Sequence, residues 1–428
     1  MMCMKYLSAL LTCFFFVIRI MAQDEDEERP ASLIDISFGL GPPLPFDYLG
    51  FFDIPEDCND WNSHTFFRSV DAADVKVCIE NGTDPTMLDK DLRTPLHYAA
   101  GRMPVPSVLE SLLNAGSDPN ARDAYGRTPL HEITLNSPVT RAIEVLIRHG
   151  ADPTLVDSNS RTPLHFAAET SFSPATIELI VDAGADPNAR TARGWSPLHH
   201  AADDSDSVDV MRMLVQLGAD PNLLDNNGRT PLHLAATRSD RSILRYLIEA
   251  GVNPGALDNR GQTPMFFARD EPIVEDLLSE GMSARTRDIT GKTPLHHVLE
   301  EEYDLDLVEA LLSGGADPGM TDERGRTPLH LLYKGWDRSR TVKSVIHELL
   351  AYGADLNAQD NDGNTPLHLA AGSGAIGQNE ENVIMALLDA GADPTMRNAK
   401  GEIPWDIVGR PVHVGDDDVI NHLRNVSQ

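Results

Sequence analysis

Eight histidines recur at one position along the 428-residue chain: His97, His131, His165, His199, His233, His296, His330 and His368. A row of imidazoles could hold metal ions or pass protons. The surrounding residues complete neither chemistry. Each histidine arrives without a thiolate or carboxylate at ligand spacing, and Phe266 interrupts the series. No nucleophile elbow, phosphate-binding glycine loop or His-Glu-x-x-His helix is legible. His131-Glu132 lacks the second histidine four residues on. The chain reads as a non-enzyme, with no catalytic residue, no metal and no cofactor.

A second constellation precedes a recurrent Thr-Pro pair by one residue: Arg93, Arg127, Arg161, Trp195, Arg229, Gln262, Lys292, Arg326, Asn364 and Glu402. Six of these ten are basic in a chain of formal charge −31. Trp and Arg are the residue types that most often anchor protein interfaces. Arg93, Arg127, Arg161, Trp195, Arg229, Lys292 and Arg326 are therefore the candidate partner-binding residues. The competing reading is local pairing with acids such as Asp123, Asp157 and Asp225. Exposed pairs contribute only about 0–1 kcal/mol and leave a guanidinium available to a partner.

These residues ride on a repeated box, clearest as Gly228-Arg229-Thr230-Pro231-Leu232-His233-Leu234-Ala235-Ala236. Its proline recurs at 95, 129, 163, 197, 231, 264, 294, 328, 366 and 404, in steps of 34, 34, 34, 34, 33, 30, 34, 38 and 38 residues. Such a period is the mark of a stacked-repeat solenoid. Threonine is a good N-cap, and proline fits the first helical position because its missing N–H would be unpaired anyway. Leu and the Ala pair make a short helix with a thin, close-packing face. A second helix follows, as in Ser242–Ile248, with apolar residues at helical spacing. It stops at a glycine suited to a left-handed C-cap. That glycine recurs at Gly82, Gly116, Gly150, Gly184, Gly218, Gly251, Gly281, Gly315, Gly353 and Gly391, in step with the prolines. Asx- and Gly-rich segments then turn the chain into the next box. Leu92 and Ser160 stand where these turns usually carry glycine. The 30-residue unit trims the loop near Arg269–Pro272. The two 38-residue units extend theirs at Gly335–Arg338 and Gly374–Gly377, and Trp336 reads as packed down.

Thr-Pro-Leu-His followed by small residues resembles the ankyrin repeat family, from about Trp61 to the C-terminus. The resemblance implies an all-α solenoid of stacked helix pairs with short β-hairpin fingers. It implies that the box histidine bridges backbone and neighbouring units by hydrogen bonds. It also places the residue before the box threonine on a finger facing the concave, partner-binding surface. Units packed at roughly 10 Å would set Arg93, Arg127, Arg161, Trp195 and Arg229 in one row.

The ends differ from the repeats. Lys5, an apolar run from Tyr6 to Ile18, Ile20-Met21-Ala22 and an abruptly acidic sequel read as a secretory signal peptide over residues 1–22. The apolar run is short of the about 20 residues a bilayer span needs, and an uncleaved anchor is the other reading. Residues 23–60 form an acidic, then Pro/Gly/aromatic-rich leader, disordered at first and then a strap on the first repeats or a partner-binding segment. Residues 61–92 form an N-terminal cap, 93–401 the repeats and 402–428 a C-terminal cap with a closing helix at 416–426. Cleavage removes Cys3 and Cys13 and takes the formal charge from −31 to −33, through loss of Lys5 and Arg19. Cys58 and Cys78 remain, either disulfide-bonded, as an oxidising compartment favours, or as two free thiols. The charge opposes nucleic acid and anionic membranes and favours a soluble monomer. The expected function is a non-catalytic scaffold exported to the periplasm or medium. It binds another protein, through an acidic patch of that partner facing the finger row. The alternative is an exported effector with an unrecognised enzymatic role.

Overall fold

A computed structural model describes residue 58 and residues 61–408, apart from 64, 69, 102–103, 137–138, 171–172, 206, 239, 302–303, 335–338 and 373–377. The expected signal peptide, most of the leader, both long-loop insertions with Trp336, and the closing helix at 416–426 lie outside these residues. The described part belongs to one unit, Asp53–Gln428. It holds eighteen α-helices and three 3-10 helices, and no strand among the described residues.

Each box opens a short inner helix with its proline in the first turn: Pro95–Ala100, Pro129–Asn136, Pro163–Glu169, Pro197–Asp204, Pro231–Ala235, Pro294–Glu301 and Pro366–Gly372. An outer helix, usually of nine residues, runs back beside it, as in Pro106–Asn114 and Val208–Gln216. Like helices of successive units pack on one another along the stack. The box leucines Leu96, Leu130, Leu164, Leu198, Leu232, Leu295, Leu329 and Leu367 are buried, as are outer-helix residues such as Leu112, Leu146, Ile180, Leu214 and Leu247. They form one continuous core from Trp61 to Ala392. Burying each such side chain is worth about 1.5–3 kcal/mol, and no unit could bury its own without a neighbour.

The fingers are tight hairpin turns, too short to become strands. In one, the Asp225 amide donates to the Arg229 carbonyl at 2.8 Å, and Asp225 Oδ1 accepts from the amides of Asn227 and Arg229. That carboxylate takes up amides that a β-ladder would use. Successive fingers are joined by single backbone bonds, such as Asn226 N–H to Arg193 O and Asn259 N–H to Asn227 O. Gly228 sits at φ +78°, and a Cβ there would lie 2.8 Å from the Asn259 amide nitrogen, so both conformation and space demand glycine. Leu92 and Ser160 adopt the same left-handed conformation, φ +59° and +61°, without being glycine. The turn geometry holds there because the bonds on either side overrule a local cost of about 1–2 kcal/mol.

Ahead of the first box lies one α-helix, Ala72–Glu80. Asp71 caps it, accepting from the Ala73 and Asp74 amides while Asp74 returns the bond to the Asp71 amide. Trp61, Phe66 and Phe67 pack ring to ring at 5.0–5.8 Å. Beside them the sulfur atoms of Cys58 and Cys78 stand at bonding distance, 2.01 Å.

The sixth unit departs in its loop. Its inner element is a 3-10 turn, Pro264–Phe267, as is Pro328–Lys334 in the eighth, and the chain reaches the outer helix Glu271–Ser279 after three residues, with Asp270 as N-cap. The trimmed loop is where the sequence places it.

Candidate partner-binding surface

The box histidines are structural, and the structure shows how. His199 Nδ1 accepts from the Ser196 amide at 3.2 Å and faces the Ser196 hydroxyl at 2.8 Å. Serine or threonine and histidine thus form a capping box in which the ring takes the place of the usual Glu or Gln. With Nδ1 an acceptor, Nε2 carries the proton and donates onward to the Arg229 carbonyl of the next finger at 3.1 Å. The same bridge runs from His97 to Arg127, His131 to Arg161, His165 to Trp195, His233 to Gln262, His296 to Arg326, His330 to Asn364 and His368 to Glu402. Burial pushes these imidazoles down, to about 4 at His131, His199 and His296 and about 3 at His165, so they stand neutral.

Phe266 breaks this series, and its absence of a ring nitrogen leaves a mark. The Thr263 hydroxyl is buried and makes no hydrogen bond. Thr263→Val should then be neutral or stabilising. Thr230→Val, which removes the hydroxyl that faces His233 at 2.9 Å, should cost about 1–2 kcal/mol. Urea unfolding of the two variants checks this, and equal costs would show that the Thr263 hydroxyl is satisfied after all.

The residues just before the boxes are held by the finger acid four positions upstream. Asp123 Oδ2 receives Arg127 Nε and Nη2 at 3.2 and 3.0 Å. Asp157 receives Arg161 Nε at 3.0 Å, Asp225 receives Arg229 at 3.0 and 2.9 Å, and Asp322 receives Arg326 at 2.9 and 2.7 Å. Arg326 is buried in its clip. Lys292 reaches Glu300 instead. In the Trp195 unit Thr191 stands in place of the acid, and the Trp195 indole N–H donates to Asp225 of the following finger at 3.2 Å. Local pairing is thus the observed state of the row. The guanidiniums nevertheless keep a stacked face or an edge toward the surface: Arg161 lies over Phe166 at 4.0 Å and Arg127 over Tyr125 at 5.1 Å.

Arg93 is the exception. Its contacts with Asp123 and Glu132 are long, 3.7 and 3.6 Å, and its Nε is buried without a hydrogen bond. Burial works against its charge, and Glu132 with Asp123 outweighs that effect and raises its pKa. Glu132 is itself buried, which raises its carboxyl against the pull of Arg127 and Arg93. Arg93, Arg127 and Glu132 line a cavity of about 370 Å³ with Phe67, Tyr98 and Asn136. A second cavity, of about 330 Å³, is lined by Asn159, Arg161, Arg193, Trp195 and His200. Both combine arginine edges with aromatic faces.

Tyr98, Glu132 and His200 contribute to these sites and were not singled out by the sequence reading. All three occupy the position after the box histidine, the place where the otherwise constant box varies among Tyr, Glu, Phe, His and Leu. That variation against a fixed frame was the available signal.

The family model described as ankyrin repeats, in three copies, matches residues 104–191, 134–225, 171–258, 198–288 and 295–398. No curated protein matches the chain.

Proposed function

Because the chain belongs to the ankyrin repeat family, we propose that it is a non-catalytic scaffold that holds a partner protein against its finger and inner-helix surface. Ankyrin repeats generally mediate protein–protein interaction. The contact centres on Arg93, Arg127, Arg161, Trp195 and Arg229. The observation that carries this reading is Arg93, a half-buried guanidinium beside a 370 Å³ cavity with donors its own acids do not fill. A carboxylate from an acidic patch on the partner would complete it, and charge-assisted bonds of that kind are the strong ones. Lys292 extends the row, and Arg326 serves chiefly to fix its own finger. Export is part of the proposal, supported by the leader sequence and by two cysteines at bonding distance. No described helix is long and apolar enough to cross a membrane.

The immobilised chain, compared with an Arg93→Ala/Trp195→Ala variant, tests the proposal by affinity capture with mass spectrometry. Loss of one partner at least tenfold, at equal melting temperature, is the expected result. Equal capture by both chains would sink it.

A further inference from the structure

One histidine outside the bridge series has no such role. His200 follows the box histidine on the helix Pro197–Asp204, and only 8% of it is exposed. Its Nδ1 is buried, and its one contact in reach is long, 3.4 Å from Glu169 Oε2 and short of a well-aligned hydrogen bond. The ring is fixed edge-on to Trp195 at 5.0 Å and to His165 at 5.4 Å. A buried ring nitrogen without a well-aligned bond is costly and calls for an explanation.

Two carboxylates face it. Asp204 lies one helical turn on, at i+4, the spacing that brings two side chains to one face. Glu169 ends the neighbouring inner helix, Pro163–Glu169, and its Oε2 stands 3.4 Å from His200 Nδ1. The three ligand atoms all lie within 4.8 Å of one another. Ligand bonds of about 2.0–2.2 Å to one ion place donors roughly 3–4 Å apart. The His200–Glu169 pair already has that spacing, and the exposed Asp204 stands within 4.8 Å of both.

We propose that Glu169, His200 and Asp204 bind one divalent transition-metal ion. His200 Nδ1 and one oxygen of each carboxylate are the ligands. The imidazole sets the class of ion: nitrogen favours zinc, cobalt, nickel and copper, whereas calcium and magnesium favour all-oxygen cages. Three protein ligands leave a coordination position open. Of the three ligands, His200 also lines the 330 Å³ cavity with Arg161 and Trp195, and water or an incoming side chain would complete the shell.

The purified full-length chain, stripped with a chelator, is titrated with zinc chloride by calorimetry and with cobalt chloride by absorption. One saturable site per chain with micromolar affinity is expected, unaffected by calcium chloride in excess. Asp204→Asn and His200→Ala should each weaken zinc binding at least tenfold, and Asp204→Asn should leave the melting temperature of the metal-free chain unchanged. Absence of saturable binding would overturn the proposal. So would binding that survives both substitutions or is displaced by calcium, since zinc would then be sitting on surface carboxylates.

Discussion

Acidification from pH 6.5 toward pH 4 should unfold the stack, well before most of its carboxylates are protonated. Burial holds the imidazoles of His131, His199 and His296 at about 4 and that of His165 at about 3, against an ordinary value of 6.5. The sign follows from linkage. A histidine whose folded pKa is depressed stays neutral in the native state while the unfolded chain takes up its proton. Stability is therefore full above pH 6.5 and falls as the pH drops, until the folded group titrates as well. A displacement of about two and a half units corresponds to roughly 3 kcal/mol per ring, so four rings together contribute on the order of 10 kcal/mol. That is comparable with the whole stability of an ordinary domain, about 5–15 kcal/mol. Relief of the −31 charge acts in the opposite direction, but carboxylates titrate mainly near pH 4, after the loss has occurred. Below that, Asp225 and Asp322, whose carboxyls their arginine clips hold down against the opposing effect of burial, add a second loss. Melting temperatures by circular dichroism should be level from pH 9 to 7 and fall steeply below 6.5. A level profile down to pH 5 would show that the rings accept protons inside the fold.

His199→Ala should cost about 3–5 kcal/mol, far more than the loss of one side chain of its size on the surface. It removes the acceptor for the Ser196 amide and the donor to the Arg229 carbonyl in a place with no access to water. The Ser196 amide, left buried and unpaired, costs about 1–3 kcal/mol, the Arg229 carbonyl keeps only the Asp225 amide, and the vacated ring volume adds a cavity. The effect should exceed that of His368→Ala near the end of the stack. In a one-dimensional array a central break uncouples the units on both sides, whereas a terminal one uncouples few. Urea unfolding should show a lowered midpoint for both and a shallower or divided transition for His199→Ala alone. A cost under about 1 kcal/mol would mean that water replaces the ring.

Much of this fold was legible because it is local and repeated. The prolines, the terminal glycines and the box leucines each carry their own conformational or packing reason, and each reason operates within a few residues. Gly82, Gly116, Gly150 and their counterparts all have positive φ, as a left-handed cap requires. The site was less legible because its decisive contacts depend on finger geometry or join residues about 30 apart. Whether Arg127 points to a partner or to Asp123 depends on finger geometry, and the two readings have the same sequence. The Trp195 bond to Asp225 could not be anticipated, since it joins two fingers 30 residues apart. The Glu169–His200 contact is of the same kind, visible only once two inner helices lie side by side.

The bond-length approach of Cys58 to Cys78 encloses the aromatic trio of Trp61, Phe66 and Phe67 in a loop with a sequence separation of 20. In a linear array the end unit ordinarily frays first, since it has one neighbour instead of two. Here a Cys58–Cys78 bond would restrict the unfolded chain of the end unit by about 3 kcal/mol for a loop of that length. Opening of the oxidised protein would then advance toward the N-terminal cap and not start from it. Reduction removes the direction without removing a single contact of the repeats.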